Sequence, residues 1–162
     1  MAIRQTVFLV DDDKAVRDSV TRMLSLDGLD VEAFGHPSEF LNAYAPSKPG
    51  CLVIDLLLPQ MNGLELHAKL LKLGCQHPFI IITGHGNVPH ATAAMREGAV
   101  DFLEKPFGRR CLLDRNHEAI RCDVNLRHKC AERESIQART DSLTARELNG
   151  KEHGRAGLLS DP

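Results

Sequence analysis

The feature that most constrains this chain is an alternation of two textures along its first hundred or so residues. Short apolar runs rich in Val, Ile and Phe recur at Val7–Val10, Val31–Phe34, Cys51–Ile54, Phe79–Thr83 and Val100–Leu103. Near-continuous runs of this kind predict strands buried on both faces. Longer stretches with helical spacing lie between them. Lys14 to Leu26 puts Val16, Val20 and Met23 on one face, and Gly63 to Leu73 does the same with Leu64, Ala68 and Leu71. Another helix is predicted from Val88 to a stop at Gly98. Pro37, with its fixed φ, suits the first turn of a helix carrying Phe40 and Leu41. Strands alternating with helices predict an α/β fold, a parallel sheet covered on both sides.

In such sheets ligands bind beyond the carboxyl ends of the strands. Chemistry-bearing residues should therefore follow strands, and here they do. Asp11, Asp12 and Asp13 follow the first run, Asp55 ends the third, Thr83 ends the fourth and Lys105 follows the fifth. Separate segments thus deliver polar groups to one edge of the sheet.

Clustered carboxylates repel one another unless a cation offsets them. A hard divalent ion such as Mg²⁺ suits a few carboxylates completed by water and phosphate oxygens. Asp11, Asp12 and Asp55 read as such an open site, with a backbone carbonyl, water and an incoming phosphoryl group as the remaining ligands. A carboxylate beside that ion can act as a nucleophile and form an aspartyl-phosphate. Lys105 would neutralise charge on the transferring group, and the Thr83 hydroxyl could donate to another of its oxygens.

Simpler readings compete for each residue. Asp13 is expected to cap the following helix. Thr83 alone would be an ordinary strand-end threonine, and Lys105 alone a surface lysine. Asp55 is harder to dismiss, because an acid closing an apolar run is costly unless paired or bound to metal. His117, Cys122, His128 and Cys130 match no zinc spacing. His85 and His90 read as solvated loop histidines, and Gly84 and Gly86 as parts of a mobile loop rather than a phosphate cradle.

The totals narrow the class further. A length of 162 residues suits one domain with a tail, and 43% hydrophobic with 26% charged residues suits a soluble protein. A net charge of −2 gives no global attraction to nucleic acid or anionic membrane. Neither a membrane-length apolar run nor a signal peptide is apparent. Five cysteines without framework spacing predict a cytoplasmic location. From about Asp123 apolar residues thin out and charges of both signs alternate, predicting a solvated helix and linker without a nucleic-acid footprint.

Four motifs in order resemble the response-regulator receiver domain over about residues 5–122. They are Phe8-Leu-Val-Asp-Asp-Asp, Asp55 followed by Leu-Leu-Leu-Pro-Gln-Met-Asn-Gly, Ile81-Ile-Thr-Gly-His-Gly, and Gly98-Ala-Val-Asp-Phe-Leu-Glu-Lys-Pro-Phe. The wording is nearest its FixJ-like branch, whose members carry a LuxR-type helix-turn-helix. The resemblance implies a flavodoxin-like (βα)5 doubly wound sheet with strand order 2-1-3-4-5 and a helical C-terminal extension. It also implies phosphoryl transfer from a sensor histidine kinase to Asp55, as a switch and not as an enzyme. Asp12 matches the direct Mg²⁺ ligand, Asp11 the acid acting through water, and Leu57 the residue lending its carbonyl. Thr83 and Phe102 match the switch pair, Lys105 the phosphoryl-stabilising lysine, and Pro106 a cis proline. Phosphorylation would reshape the face of the fourth helix and fifth strand and favour a homodimer.

Two departures stand out. Asn116 falls where the last helix should present an apolar residue, predicting weaker docking. Ser142-Leu-Thr-Ala-Arg-Glu resembles the opening of the LuxR-type DNA-binding domain, but Gly150, Gly154 and Gly157 follow. The expected organisation is a receiver over 1–122, a helical linker over 123–141 and an irregular remnant over 142–162, without DNA binding by this chain. A phosphohydrolase of haloacid-dehalogenase type would want a second acid two residues after the nucleophile, where Leu57 stands. A phosphorylation-independent interaction module is the remaining alternative.

Overall fold

The structure, a computed structural model, describes residues 4–158, with side chains as far as Asn149. Its strands are β1 (Thr6–Val10), β2 (Asp30–Phe34), β3 (Gly50–Asp55), β4 (Phe79–Thr83) and β5 (Asp101–Glu104). Its helices are α1 (Lys14–Leu26), α2 (Pro37–Ala43), α3 (Gly63–Lys72), α4 (Val88–Arg96) and α5 (Arg109–Leu158). The strands pair in parallel in the order β2-β1-β3-β4-β5.

The period-two alternation within each strand divides the core. Phe8, Val10, Leu52, Ile54, Phe79 and Ile81 point to one side, where Phe40 of α2, Leu66 and Leu70 of α3 and Ala94 of α4 pack on them. Val7, Leu9, Cys51, Val53, Ile80 and Ile82 point to the other, against Val20 and Leu24 of α1 and Leu112, Ala119 and Ile120 of α5. β1, β3 and β4 are buried at every position, as apolar runs without alternation require, and β2 forms a half-exposed edge. Helix starts carry the expected caps. Asp13 accepts from the Ala15 amide at 2.9 Å, Asn62 from Glu65 at 2.8 Å and Asn87 from His90 at 3.0 Å, each contributing about 1 kcal/mol. Pro37 opens α2.

Several expectations need correction. β5 lies one residue later than its apolar run, at Asp101–Glu104. On α3 the buried residues are Gly63, Leu66, His67 and Leu70, whereas Ala68 and Leu71 are exposed. The His67 ring stacks on Phe79 with centroids 3.7 Å apart, on the same inward face as Leu66 and Leu70. Asn116 is fully buried but partnered: its Nδ2 donates to the Leu112 carbonyl at 2.8 Å and its Oδ1 accepts from Cys51 Sγ at 3.5 Å. Satisfied polar groups escape the desolvation penalty, so weak docking at Asn116 is not what the structure shows. Asp123, expected in the solvated linker, is buried and accepts from the Gly50 amide at 2.9 Å.

Two compact units divide the chain, Met1–Val124 and Asn125–Pro162. Within the second, α5 continues to Leu158, so residues 142–158 are helical rather than irregular; residues 159–162 of the expected remnant lie outside the described residues. Each interior glycine costs about 1 kcal/mol relative to alanine. Local bonds join Gln137 to Asp141 and Thr144 to the Thr140 carbonyl. Among the described residues no helix is long and apolar enough to cross a membrane.

Candidate functional site

Strand register assembles the site. Val10 pairs with Ile54, so Asp11 leaves β1 level with Asp55 at the end of β3. Asp55 pairs with Ile82, which puts Thr83 one step beyond, and Thr83 pairs with Glu104, the residue before Lys105. The four carboxyl ends therefore deliver their polar residues to one rim of the sheet.

Lys105 closes the cluster. Its Nζ donates to Asp11 Oδ2 at 2.7 Å and to Asp55 Oδ2 at 3.0 Å. The remaining oxygens are held by backbone: Asp11 Oδ1 accepts from the Asp13 amide at 2.9 Å, and Asp55 Oδ1 from the Leu57 amide at 3.1 Å. Asp11 and Asp55 are buried, and Asp12 is exposed at the mouth. Burial, and after it the charge of Asp11, push the Asp55 carboxyl above its ordinary range, against the pull of Lys105 and the Leu57 amide. Burial works against the Lys105 ammonium, but the hydrogen bonds and charges of Asp11 and Asp55 outweigh it and hold its pKa above the ordinary value.

One oxygen from each of Asp11, Asp12 and Asp55 lies within 4.8 Å of the others. Three carboxylates around one ammonium would carry a surplus of two negative charges when ionised. An all-oxygen donor set with that surplus and an open side fits a hard divalent cation better than a soft one. Among the described residues this is the one such cluster. His117 instead pairs with Asp27 at 2.5 Å, and His128 with Glu132 at 3.3 Å.

Thr83 is buried, and its Oγ1 accepts from the His85 amide at 3.1 Å while its carbonyl accepts from the Lys105 amide at 2.7 Å. The Lys105–Pro106 peptide is cis. Leu57 is half-exposed and pairs with Asn62 across the turn after β3. Phe102 is half-buried on β5; together with Gly86, Asn87, Val88, Ala91 and Glu104 it lines a cleft of about 360 Å³ against α4. The expected acids and lysine thus meet directly, and Thr83 and Phe102 flank them on neighbouring strands. Sequence reasoning missed Arg17, whose Nη1 donates to the Asp11 carbonyl at 2.8 Å. Nothing in the spacing distinguishes it from other solvated residues of α1.

The family model described as the response regulator receiver domain matches residues 7–117. The transcriptional regulatory protein FixJ of Rhizobium meliloti is 41% identical over 88% of this chain and 70% of its own length. The response regulator protein TmoT of Ectopseudomonas mendocina is 36% identical over 87% of this chain. This chain spans 64% of the length of TmoT. The solved structure of the response regulator StyR superposes with a TM-score of 0.78 at 36% identity, covering 83% of this chain and 68% of that one.

Proposed function

This chain belongs to the response regulator receiver domain family, and we propose that Asp55 is its phosphoryl acceptor, charged by a sensor histidine kinase in the presence of Mg²⁺. The observation that carries this reading is the junction of Asp11, Asp12 and Asp55 under the Lys105 ammonium at the carboxyl rim of the sheet. An Asp55 oxygen forms the new bond to phosphorus, and the phosphorus–nitrogen bond of a phosphohistidine on the kinase breaks. Bound Mg²⁺ would supply charge neutralisation for the transferring oxygens, held by Asp11, Asp12, Asp55 and the Leu57 carbonyl. Lys105, already 3.0 Å from Asp55, is placed to move its donors to a phosphoryl oxygen. The Leu57 amide keeps the other carboxylate oxygen oriented during attack.

The response is a switch rather than turnover. Thr83 Oγ1 now accepts from the His85 amide, and turning its hydroxyl toward a phosphoryl oxygen gives up that bond. Phe102, beside the same loop, then repacks and reshapes the α4–β5 face, where Val88 is 78% exposed. A homodimer through that face is the expected readout. Leu57, standing where a phosphohydrolase would carry its second acid, favours a lasting phosphoprotein. The described residues hold one continuous helix from Arg109 to Leu158 and no helix-turn-helix, so DNA recognition is not expected from them. Incubation with Mg²⁺ and acetyl phosphate should add one phosphoryl group to the protein and none to Asp55→Asn. Modification that persists in Asp55→Asn removes the assignment.

A further inference from the structure

Asp12 is exposed, so its direction comes mainly from the backbone that carries it. That backbone is anchored through Asp11. The Asp11 amide donates to the Phe34 carbonyl at 3.1 Å, at the end of β2. Its carbonyl accepts from Arg17 Nη1 at 2.8 Å, from the end of the first turn of α1. Because the peptide unit is planar, holding the Asp11 carbonyl oxygen also fixes the Asp12 Cα, which lies in the same plane beside that oxygen. The side chain of Asp11 is held independently, by the Asp13 amide and Lys105.

The guanidinium has a seat of its own. A Cβ on Gly35 would lie 3.0 Å from Arg17 Nη1, 3.3 Å from Cζ and 3.6 Å from Nη2. The bare backbone of the β2–α2 turn therefore gives the planar head room to lie against it while Nη1 reaches the carbonyl. A lysine carries the same charge but lacks the plane and the fork.

We propose that Arg17, seated on Gly35, is a positioning residue for the cation site, fixing the Asp11–Asp12 peptide so that Asp12 presents its carboxylate to the metal. The inference rests on the Mg²⁺ reading above. It separates from a pure charge effect by sign. A positive group near a cation site repels the cation, so neutralising Arg17 would tighten Mg²⁺ binding if charge were all it contributed. Loss of positioning weakens binding instead, and does so even when the charge is retained.

The test is calorimetric titration of the full chain with Mg²⁺, comparing the parent protein with Arg17→Lys, Arg17→Met and Gly35→Val. Groups that orient metal ligands from behind typically contribute 10–100-fold in affinity, and this one acts through backbone, so about tenfold weakening is expected for both Arg17 variants. Gly35→Val should weaken binding in the same direction with Arg17 intact, and it keeps the test decisive should Arg17→Met fail to fold. Phosphorylation by acetyl phosphate should need more Mg²⁺ yet reach the parent maximal rate to within about twofold at saturation, the signature of lost binding rather than lost chemistry. Parental or tighter Mg²⁺ binding in Arg17→Met, or parental binding in both Arg17→Lys and Gly35→Val, overturns the proposal while leaving the phosphoacceptor reading intact. A parent protein that binds no Mg²⁺ overturns both.

Discussion

Lys105 is the clearest point at which to stress the site, because one ammonium answers two buried carboxylates. Its side chain is 19% exposed, against 0% for Asp11 and 7% for Asp55. Lys105→Met keeps most of the volume and removes the charge. Stripping the partner from a fully buried ion pair costs roughly 3–5 kcal/mol; partial exposure of the lysine brings the expectation to about 2–4 kcal/mol at pH 7.5 in EDTA. The acid has an escape that sets a ceiling. Asp55 can take up a proton, and doing so from its ordinary value of 3.8 costs about 5 kcal/mol at pH 7.5 and about 1.6 kcal/mol at pH 5, at 1.36 kcal/mol per unit. The sign follows from the direction of the shift. A carboxyl raised in the folded state contributes stability that is fully present below its unfolded value and lost as pH rises through its folded value. Removing Lys105 raises Asp55 further, so the penalty grows from pH 5 to pH 7.5. Urea unfolding at both pH values, in the parent and Asp55→Asn backgrounds, measures it. With Asp55 already neutral, Lys105→Met should cost at least about 1 kcal/mol less, which is a coupling well above additive scatter. An equal cost in both backgrounds, unchanged by pH, would refute the claim that Lys105 answers the charge of Asp55.

Asp55→Asn by itself should stabilise the metal-free protein at pH 7.5, since it relieves a carboxyl that burial and Asp11 hold above its ordinary range; the gain should shrink toward zero as urea curves are repeated down to pH 4. Gly86→Ala should cost roughly 1–3 kcal/mol from overpacking, because its Cβ would sit 2.8 Å from both Phe102 Cε1 and Thr83 Cγ2. The same variant should still accept a phosphoryl group but lose most phosphorylation-dependent dimerisation, read by sedimentation velocity. Asp123→Ala should lower stability by about 1–3 kcal/mol by leaving the buried Gly50 amide without its 2.9 Å acceptor; a thermal melt indistinguishable from the parent would show that α5 does not depend on that bond.

How much of this was legible in the residues follows from which forces act locally. Strand existence was readable because β1, β3 and β4 are buried on both faces, so their apolar runs need no partner to be recognised. The convergence of Asp11, Asp55, Thr83 and Lys105 was readable for a topological reason: parallel strands share one carboxyl rim, so order along the chain becomes proximity in space. The face of α3 was not readable. Leu64, Ala68 and Leu71 form as good a stripe as Leu66, His67 and Leu70, and the second is the one buried, through contacts with residues of other elements such as Phe79, which stacks on His67. Asn116 misled for a similar cause, since its partners Cys51 and Leu112 come from β3 and from one turn earlier on its own helix.

The residue that escaped notice lacks the property that marks those that were found. Asp55 announces itself because a charge at the end of an apolar run violates burial rules, and a violation is visible in one dimension. Arg17 violates nothing: it is an arginine on the half-exposed side of a helix, and its role exists only because Asp11 turns its carbonyl toward α1 and Gly35 leaves a place for the guanidinium. Groups that carry charge into the site are therefore legible by their cost, whereas groups that aim them are legible only by their contacts. On the proposed reading the acids and lysine mark where phosphorus and metal would meet, while the aim of Asp12 depends on Arg17, a side chain with an ordinary sequence context. Lys105→Met and Arg17→Lys probe those two layers separately, the first through the charge balance of the rim and the second through the direction of a single peptide plane.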